Sequence, residues 1–447
     1  MPLPSMDSTR PVLGAALLAV LACGGCATGA RGAVMDAAAA RDWSGAVASY
    51  DRARETDGPD PALLERVALS LLVDTALYGP DDEARHAVDA LARAGRFGRI
   101  ALGELRDRSR RPEILAPVLR ALLGGAGGAE QPPSPADRDR LHGFLASKDP
   151  RVVEVAMVAL RPATDRVLAR SYFRHGDPRV RRAAVAWFAK IPKDPTTVSA
   201  IAFLLENDSE ILVRVEAARA LGRFGEFSLV RPVLDADDPS LRRAAALALC
   251  DANRERAVFV LRRLWTAVPS DLSVAAASCL ATDKEPSAAS EARRHLLDAV
   301  SGAPNPSVRS AAAIALGGPA LPPDEVAVIQ GRLAEETDRT VRLHLAEILR
   351  RSPVTHDVAL GVLATLARTP DMAGTQAAAT LVDEGFAGAE GALLGALVVD
   401  DPAIRRVAGR ALGRVSPDLA RGGLADPDAG VRLATAEGIL RRRAVNR

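Results

Sequence analysis

Six histidines, four cysteines and a recurring aspartate–arginine spacing are the residues of this chain with the makings of chemistry. A helical metal site needs two histidines one turn apart, as in H-x-x-x-H or H-E-x-x-H. His86, His142, His175, His295, His344 and His356 form no such pair, and His344 reads as a surface or packing residue on a helix. Nucleophilic catalysis would need a G-x-S-x-G elbow or a cysteine with a histidine partner, and neither appears in a fitting context. The glycines between Gly124 and Gly128 lack the lysine and preceding strand of a phosphate loop. Paired acids such as Asp81 with Asp82 and Asp237 with Asp238 stand where helices begin, so capping accounts for them. The expectation is no catalytic residue, no cofactor and no metal.

The cysteines fall into two groups. Cys23 and Cys26 follow the apolar run Val12 to Ala22, which has the length of a signal-peptide core and is too short to span a bilayer. Small residues leading to a cysteine resemble a bacterial lipoprotein signal, in which that cysteine is acylated and becomes the first mature residue. Cys26, behind Gly24 and Gly25, is the preferred lipidation site, with Cys23 as the alternative. The resemblance implies a lipid-anchored protein of the bacterial cell envelope. Neither cysteine is followed by the aspartate that retains lipoproteins in the inner membrane, so the expected destination is the outer membrane, facing the periplasm. Cys250 and Cys279 lie within helical patterns and read as small buried apolar residues rather than a bridge.

The charged pairs lead to the elements that hold them. Asp177 with Arg181, Asp238 with Arg242, Asp338 with Arg342, Asp401 with Arg405 and Asp428 with Arg432 are all four residues apart. Acid before base at that spacing suits one helical turn, and the acid suits the helix N-terminus. Between each acid and its arginine, one place before the arginine, stands an apolar anchor. The anchors are Val152, Val180, Val213, Leu241, Val274, Val308, Val341, Ile404 and Val431. They recur 27 to 34 residues apart, with one interval of 63 that holds a further unit near Pro370 to Gln376. Four residues after the anchors come Ala156, Ala184, Ala217, Ala245, Ala312 and Ala408. Eight after come Leu160, Phe188, Leu221, Leu249, Leu316, Leu349 and Leu412. Apolar residues at these intervals mark one buried helix face, and a period near thirty marks an α-solenoid.

The repeated phrase Asp-Pro-x-Val-Arg-x-x-Ala-x-x-x-Leu resembles the HEAT-repeat family in its short bacterial form. The resemblance covers about two thirds of the chain, from Asp137 to Arg443. It implies an all-α solenoid of stacked antiparallel helix pairs, with the listed acids and arginines forming a ladder between adjacent units. Val153 and Ala275 replace the arginine, so the ladder should be interrupted there.

Residues 1–25 then form the signal, 26–33 a tether, 34–123 an N-terminal helical cap region, 124–136 a Gly/Pro linker and 137–447 the repeats. Within the cap region, Ala46, Tyr50 and Ala53 share a face in a phrase that resembles one tetratricopeptide unit.

The net charge of +2 with 26% charged residues offers no basic stripe for nucleic acid. What remains is surface on the second helices. Arg182, Arg243 and Arg406, two residues after their anchors, and Arg219 and Arg410, six after, form either a solvated polar face or a ridge able to receive an acidic peptide or a phosphate-bearing ligand. Trp187 stands where other units place alanine and reads as a core filler, with a binding anchor as the alternative. The reading is a non-catalytic scaffold for a protein or peptide partner, anchored to a membrane through its N-terminal lipid. The alternatives are a HEAT-like enzyme resembling the bilin lyases, or a mechanical envelope spacer.

Overall fold

The computed structural model describes residues 29–123, 135–252, 254–265, 268–281, 286–318 and 321–442. The signal, Cys23, Cys26 and all but the last two residues of the Gly/Pro linker lie outside the described residues. Every regular element among the described residues is helical. The first are α1 (Ala30–Ala39), α2 (Trp43–Asp57), α3 (Pro61–Tyr78), α4 (Asp81–Arg93), α5 (Gly95–Arg108) and α6 (Pro112–Leu123). Then follow α7 (Pro135–Gly143), α8 (Pro150–Ala156), α9 (Arg166–Ser171), α10 (Pro178–Phe188), α11 (Pro195–Asn207), α12 (Ile211–Arg223) and α13 (Phe227–Val230). The middle of the chain forms α14 (Pro239–Ala252), α15 (Arg254–Arg262), α16 (Asp271–Leu280), α17 (Pro286–Gly302), α18 (Pro306–Leu316), α19 (Pro323–Glu335) and α20 (Arg339–Leu349). The last are α21 (His356–Ala367), α22 (Met372–Asp383), α23 (Ala389–Ala396), α24 (Pro402–Val415), α25 (Pro417–Ala420) and α26 (Ala429–Leu440). No described helix is long and apolar enough to cross a membrane.

Local chemistry sets where the second helix of each pair begins. Asp149, Asp177, Asn305 and Asp401 each accept the amide two residues on, from Arg151, Arg179, Ser307 and Ala403. The proline between cap and amide occupies the first helical turn, where its missing N–H is not needed. All nine anchors are buried, as are the alanines four on and the larger residues eight on. Each such valine or leucine contributes about 1.5–3 kcal/mol relative to exposure. The unit hidden in the 63-residue interval is the pair α21–α22, whose second helix is capped by Asp371.

Packing groups the chain into two compact units, and their limits differ from the boundary drawn at 124–136. One comprises, among the described residues, 111–123 and those from 135 to 389. There the second helices α10, α12, α14, α16, α18, α20 and α22 pack in succession, and α11, α15, α17, α19 and α21 each pack on the second helix of their own pair.

The other unit joins both ends of the described chain, residues up to 110 and from 390 on. In it α26 packs on α3, α4 and α24. The Tyr50 hydroxyl donates to Asp418 at 3.1 Å and accepts the Asp60 amide at 2.9 Å, while Arg54 reaches Asp418 at 2.9 Å. Ala46, Tyr50 and Ala53 are all buried there. Glycines let α24 and α26 meet backbone to backbone. A Cβ on Gly438 would stand 2.4 Å from the Arg410 carbonyl oxygen, and one on Gly413 would stand 2.8 Å from the Ile439 nitrogen. The sequence periodicity shows that these helices bury a face, but not that the two ends of the chain bury theirs together.

One expectation is overturned. Cys250 on α14 and Cys279 on α16 are joined in a disulfide, with Cα atoms 6.3 Å apart. Each side chain is partly exposed rather than buried. Both stand late in their second helices, and α14 and α16 are packed neighbours. That neighbourhood brings the cysteines within bridging distance, which positions 29 residues apart in sequence do not reveal.

Candidate interaction surface

The arginine ladder is built between units, with partners other than the acids four residues earlier. Each aspartate in those pairs caps its own helix, while the arginine turns back to two carbonyls in the loop before it. Arg181 donates to the His175 and Gly176 oxygens, Arg242 to Ala236 and Asp237, Arg405 to Val399 and Asp400, and Arg432 to Asp426 and Pro427. Arg309, behind its Asn305 cap, does the same with Ala303 and Pro304.

Three of these guanidiniums take, on their other edge, a carboxylate from the next unit. Arg181 meets Asp208 at 2.8 Å, Arg309 meets Glu336 at 2.7 Å and Arg405 meets Asp426 at 2.8 Å. Asp208, Glu336 and Asp426 also accept the amides of Glu210, Asp338 and Asp428, two residues on. Their signal in the sequence is an acid two places ahead of the acid that starts the helix. Arg342 departs from the pattern, since its Nε is buried without a hydrogen-bond partner.

These contacts set the charge states of the ladder. Burial pushes the Glu336 carboxyl up, but Arg309, the Asp338 amide and Arg332 overcome this and hold it at about 2. Asp208 lies below the ordinary aspartate range because Arg181 and the Glu210 amide outweigh its burial. Both carboxylates are therefore charged at neutral pH. The ladder joins unit to unit and leaves little free to meet a partner.

The candidate ridge falls into both packing units, and most of it is neutralised from within. Arg182 reaches Glu154 at 3.2 Å, Arg219 reaches Glu216 at 3.7 Å, Arg406 reaches Asp428 at 3.0 Å and Arg410 reaches Glu437 at 3.4 Å. Trp187 is buried, edge-on to the Phe188 ring at 4.9 Å between centroids. Arg243 is exposed, and among the described residues it carries no ion pair or hydrogen bond.

Arg243 lines a groove of about 510 Å³ that crosses α14, α16, α18 and the start of α20. The floor is made of small residues, Ala275, Ala311 and Ala315, with the Ile314 side chain 60% exposed beside them. Ser307, Ser310 and Thr340 add hydroxyls, and Asp271 and Asp338 stand at helix starts. The sequence singles out Arg243, Asp338 and Ala275, but not Ser307, Ser310, Thr340, Ala311, Ala315 or Ile314. Serine and alanine carry no signal of their own until the helices are aligned.

A second cavity, of about 590 Å³, lies in the unit built from the two chain ends, between α4 and the helices α24 and α26. Three of its arginines face carboxylates, Arg406 that of Asp428 and both Arg93 and Arg410 that of Glu437. Glu437 is almost fully buried and is held by Arg93 at 2.8 and 3.0 Å, Arg441 at 3.2 Å and Arg410. Burial raises that carboxyl, and Arg93 with Arg410 brings it below the ordinary glutamate value. Among the described residues no cluster of three or more histidine, cysteine or acidic side chains is arranged to hold a metal.

The search of curated proteins returns no match. Among solved structures, the chain is similar to a crystal structure of Kap121p bound to Ste12p, with 15% identity and a TM-score of 0.34, covering 81% of this chain and 46% of that one. It is similar to a homology model of the full-length AP-3 complex, with 14% identity and a TM-score of 0.33, covering 83% of this chain and 79% of that one. An engineered protein is 20% identical with a TM-score of 0.26, covering 86% of this chain and 96% of that one. The chain thus spans about half the length of Kap121p. Residues 166–234, within the stack of second helices, match the family model of HEAT repeats.

Proposed function

We propose that this protein is a non-catalytic scaffold of the bacterial cell envelope, anchored by lipid on Cys26 and recognising a protein partner through its second helices. The observation that carries the reading is the open groove over α14, α16, α18 and α20, where successive units leave Arg243 and a small-residue floor uncovered. Stacked repeats offer long surfaces of this kind without requiring a catalytic centre. The Cys250–Cys279 bridge supports an envelope location, since structural disulfides form and persist in oxidising compartments. The lipoprotein-like sequence around Cys26 supports anchoring, and the outer membrane is the proposed destination.

Crosslinking in the native envelope followed by mass spectrometry tests the reading, with a Cys23→Ala/Cys26→Ala variant separating partners of the body from membrane neighbours. One protein recovered in fixed ratio with both forms is the expected result. Recovery of nothing by a folded bait removes the scaffold function, and a non-acylated, cytoplasmic wild type removes the anchor.

A further inference from the structure

We propose that the groove over α14, α16, α18 and α20 receives an extended polypeptide segment of about eight residues, bearing an acidic side chain for Arg243 and an apolar one against Ile314. The proposal deepens the scaffold reading and rests on it.

Three features select this occupant. The first is the supply of unused hydrogen-bonding groups. Among the described residues the Ser307, Ser310 and Thr340 hydroxyls have no hydrogen-bond partner, whereas Ser278 already donates to the Ala275 oxygen at 2.9 Å. A helix satisfies its own backbone, but an extended segment brings N–H and C=O groups that need partners when water is displaced. A hydroxyl can serve either kind, and alanines beneath allow the backbone to come close.

The second feature is the sign of the charge. Arg243 is the groove's only cationic lining residue and lacks a carboxylate, unlike Arg182, Arg219, Arg406 and Arg410. The Asp338 carboxylate is already engaged by the Thr340 and Val341 amides, and Asp271 complements the first turn of α16. An incoming acid therefore gains a fork of unengaged donors, while an incoming base would meet, at Asp271, a carboxylate that the positive end of α16 already stabilises.

The third feature is length. From α14 to α20 the groove crosses three helix spacings of about 8–10 Å each. An extended chain advances about 3.3 Å per residue, so about eight residues span it. The half-exposed Ile314 falls within that span and gives an apolar side chain a place to bury.

The test uses the purified full-length protein in detergent and fluorescent, capped octapeptides. One set carries a single aspartate or glutamate and a single leucine or isoleucine at varied separation, and a matched set replaces the acid with lysine. Polarisation should show saturable binding that prefers the acidic set. Arg243→Glu should weaken that binding at least tenfold and favour the lysine set, while Lys190→Glu, on an exposed residue outside the groove, leaves it unchanged. Ala311→Trp, placed on the partly exposed floor, should abolish binding of both sets, with the melting curve reporting that the fold is kept. Absence of saturable binding, or binding indifferent to Arg243→Glu and Ala311→Trp, overturns the proposal. A photo-crosslinker at position 310 separates this from failure of the scaffold reading. An envelope protein captured there while every octapeptide fails overturns the extended-segment proposal and leaves the scaffold standing, whereas no capture overturns both.

Discussion

Replacing Cys250 and Cys279 by alanine tests the disulfide directly. The bridge joins residues 29 apart, so in the unfolded chain it closes a loop of that size. The chain-entropy relation gives about −2.1 − 1.5R ln 29, close to −12 cal/mol/K, or about 3.6 kcal/mol at 25 °C. For a unit of this size each kcal/mol shifts the midpoint by about 2–4 °C, so melting should fall by about 7–14 °C. The same loss should follow when the unaltered protein is melted in reductant, while the double-alanine variant should be indifferent to reductant. Digestion with trypsin under non-reducing conditions should release residues 244–254 linked to 264–284. Free thiols at both positions in protein isolated from its native compartment would refute the assignment. So would a double variant that melts within a degree or two of the unaltered protein.

Other perturbations address the ladder and the unit formed by the chain ends. Glu336 ionises at about 2 in the fold against an ordinary 4.5, so its contribution is complete above pH 4.5 and is lost as pH falls toward 2. That shift corresponds to about 3 kcal/mol, and Glu336→Gln should remove this part of the acid dependence in denaturant titrations between pH 2 and 5. At neutral pH the same change leaves buried Arg309 without its carboxylate and should destabilise by about 3–5 kcal/mol in urea unfolding. Gly438→Ala drives a methyl toward the Arg410 carbonyl and should cost about 1–3 kcal/mol by thermal melt, whereas Gly103→Ala meets open space and should be neutral or slightly stabilising. Tyr50→Phe strands the Asp60 amide and removes the bond to Asp418, an expected loss of about 1–3 kcal/mol by the same melt.

The repeat was legible because it is a local property. An anchor, an alanine four on and a larger residue eight on report one buried helix face whatever lies against it, and every such position is buried. The arginine ladder was legible as a ladder but not in its partners. Arg181 and Asp177 look matched on paper, yet Asp177 spends its carboxylate on the Arg179 amide and guanidinium, and Arg181 finds Asp208 across the unit boundary. A spacing within one helix says nothing about which loop the next unit presents. The disulfide was hidden for the same reason, since no sequence rule pairs two cysteines late in successive helices. The groove was hidden because it consists of what is missing, with Ser310 where three other units place arginine.

The shared core of the chain ends has a consequence for how this protein is made. Tyr50 and Asp418, and Arg93 and Glu437, are separated by 368 and 344 residues. Between them lies the stack of helix pairs, most of whose contacts are local and form as each unit emerges. At about 5–20 residues per second, the 350 residues between Tyr78 and Ala429 take about 18–70 s to synthesise. Throughout that interval the leucines of α3 are without α26, the surface they finally pack on. α3 is thus made long before its core can be completed, and a holdase that covers it would protect it for that time.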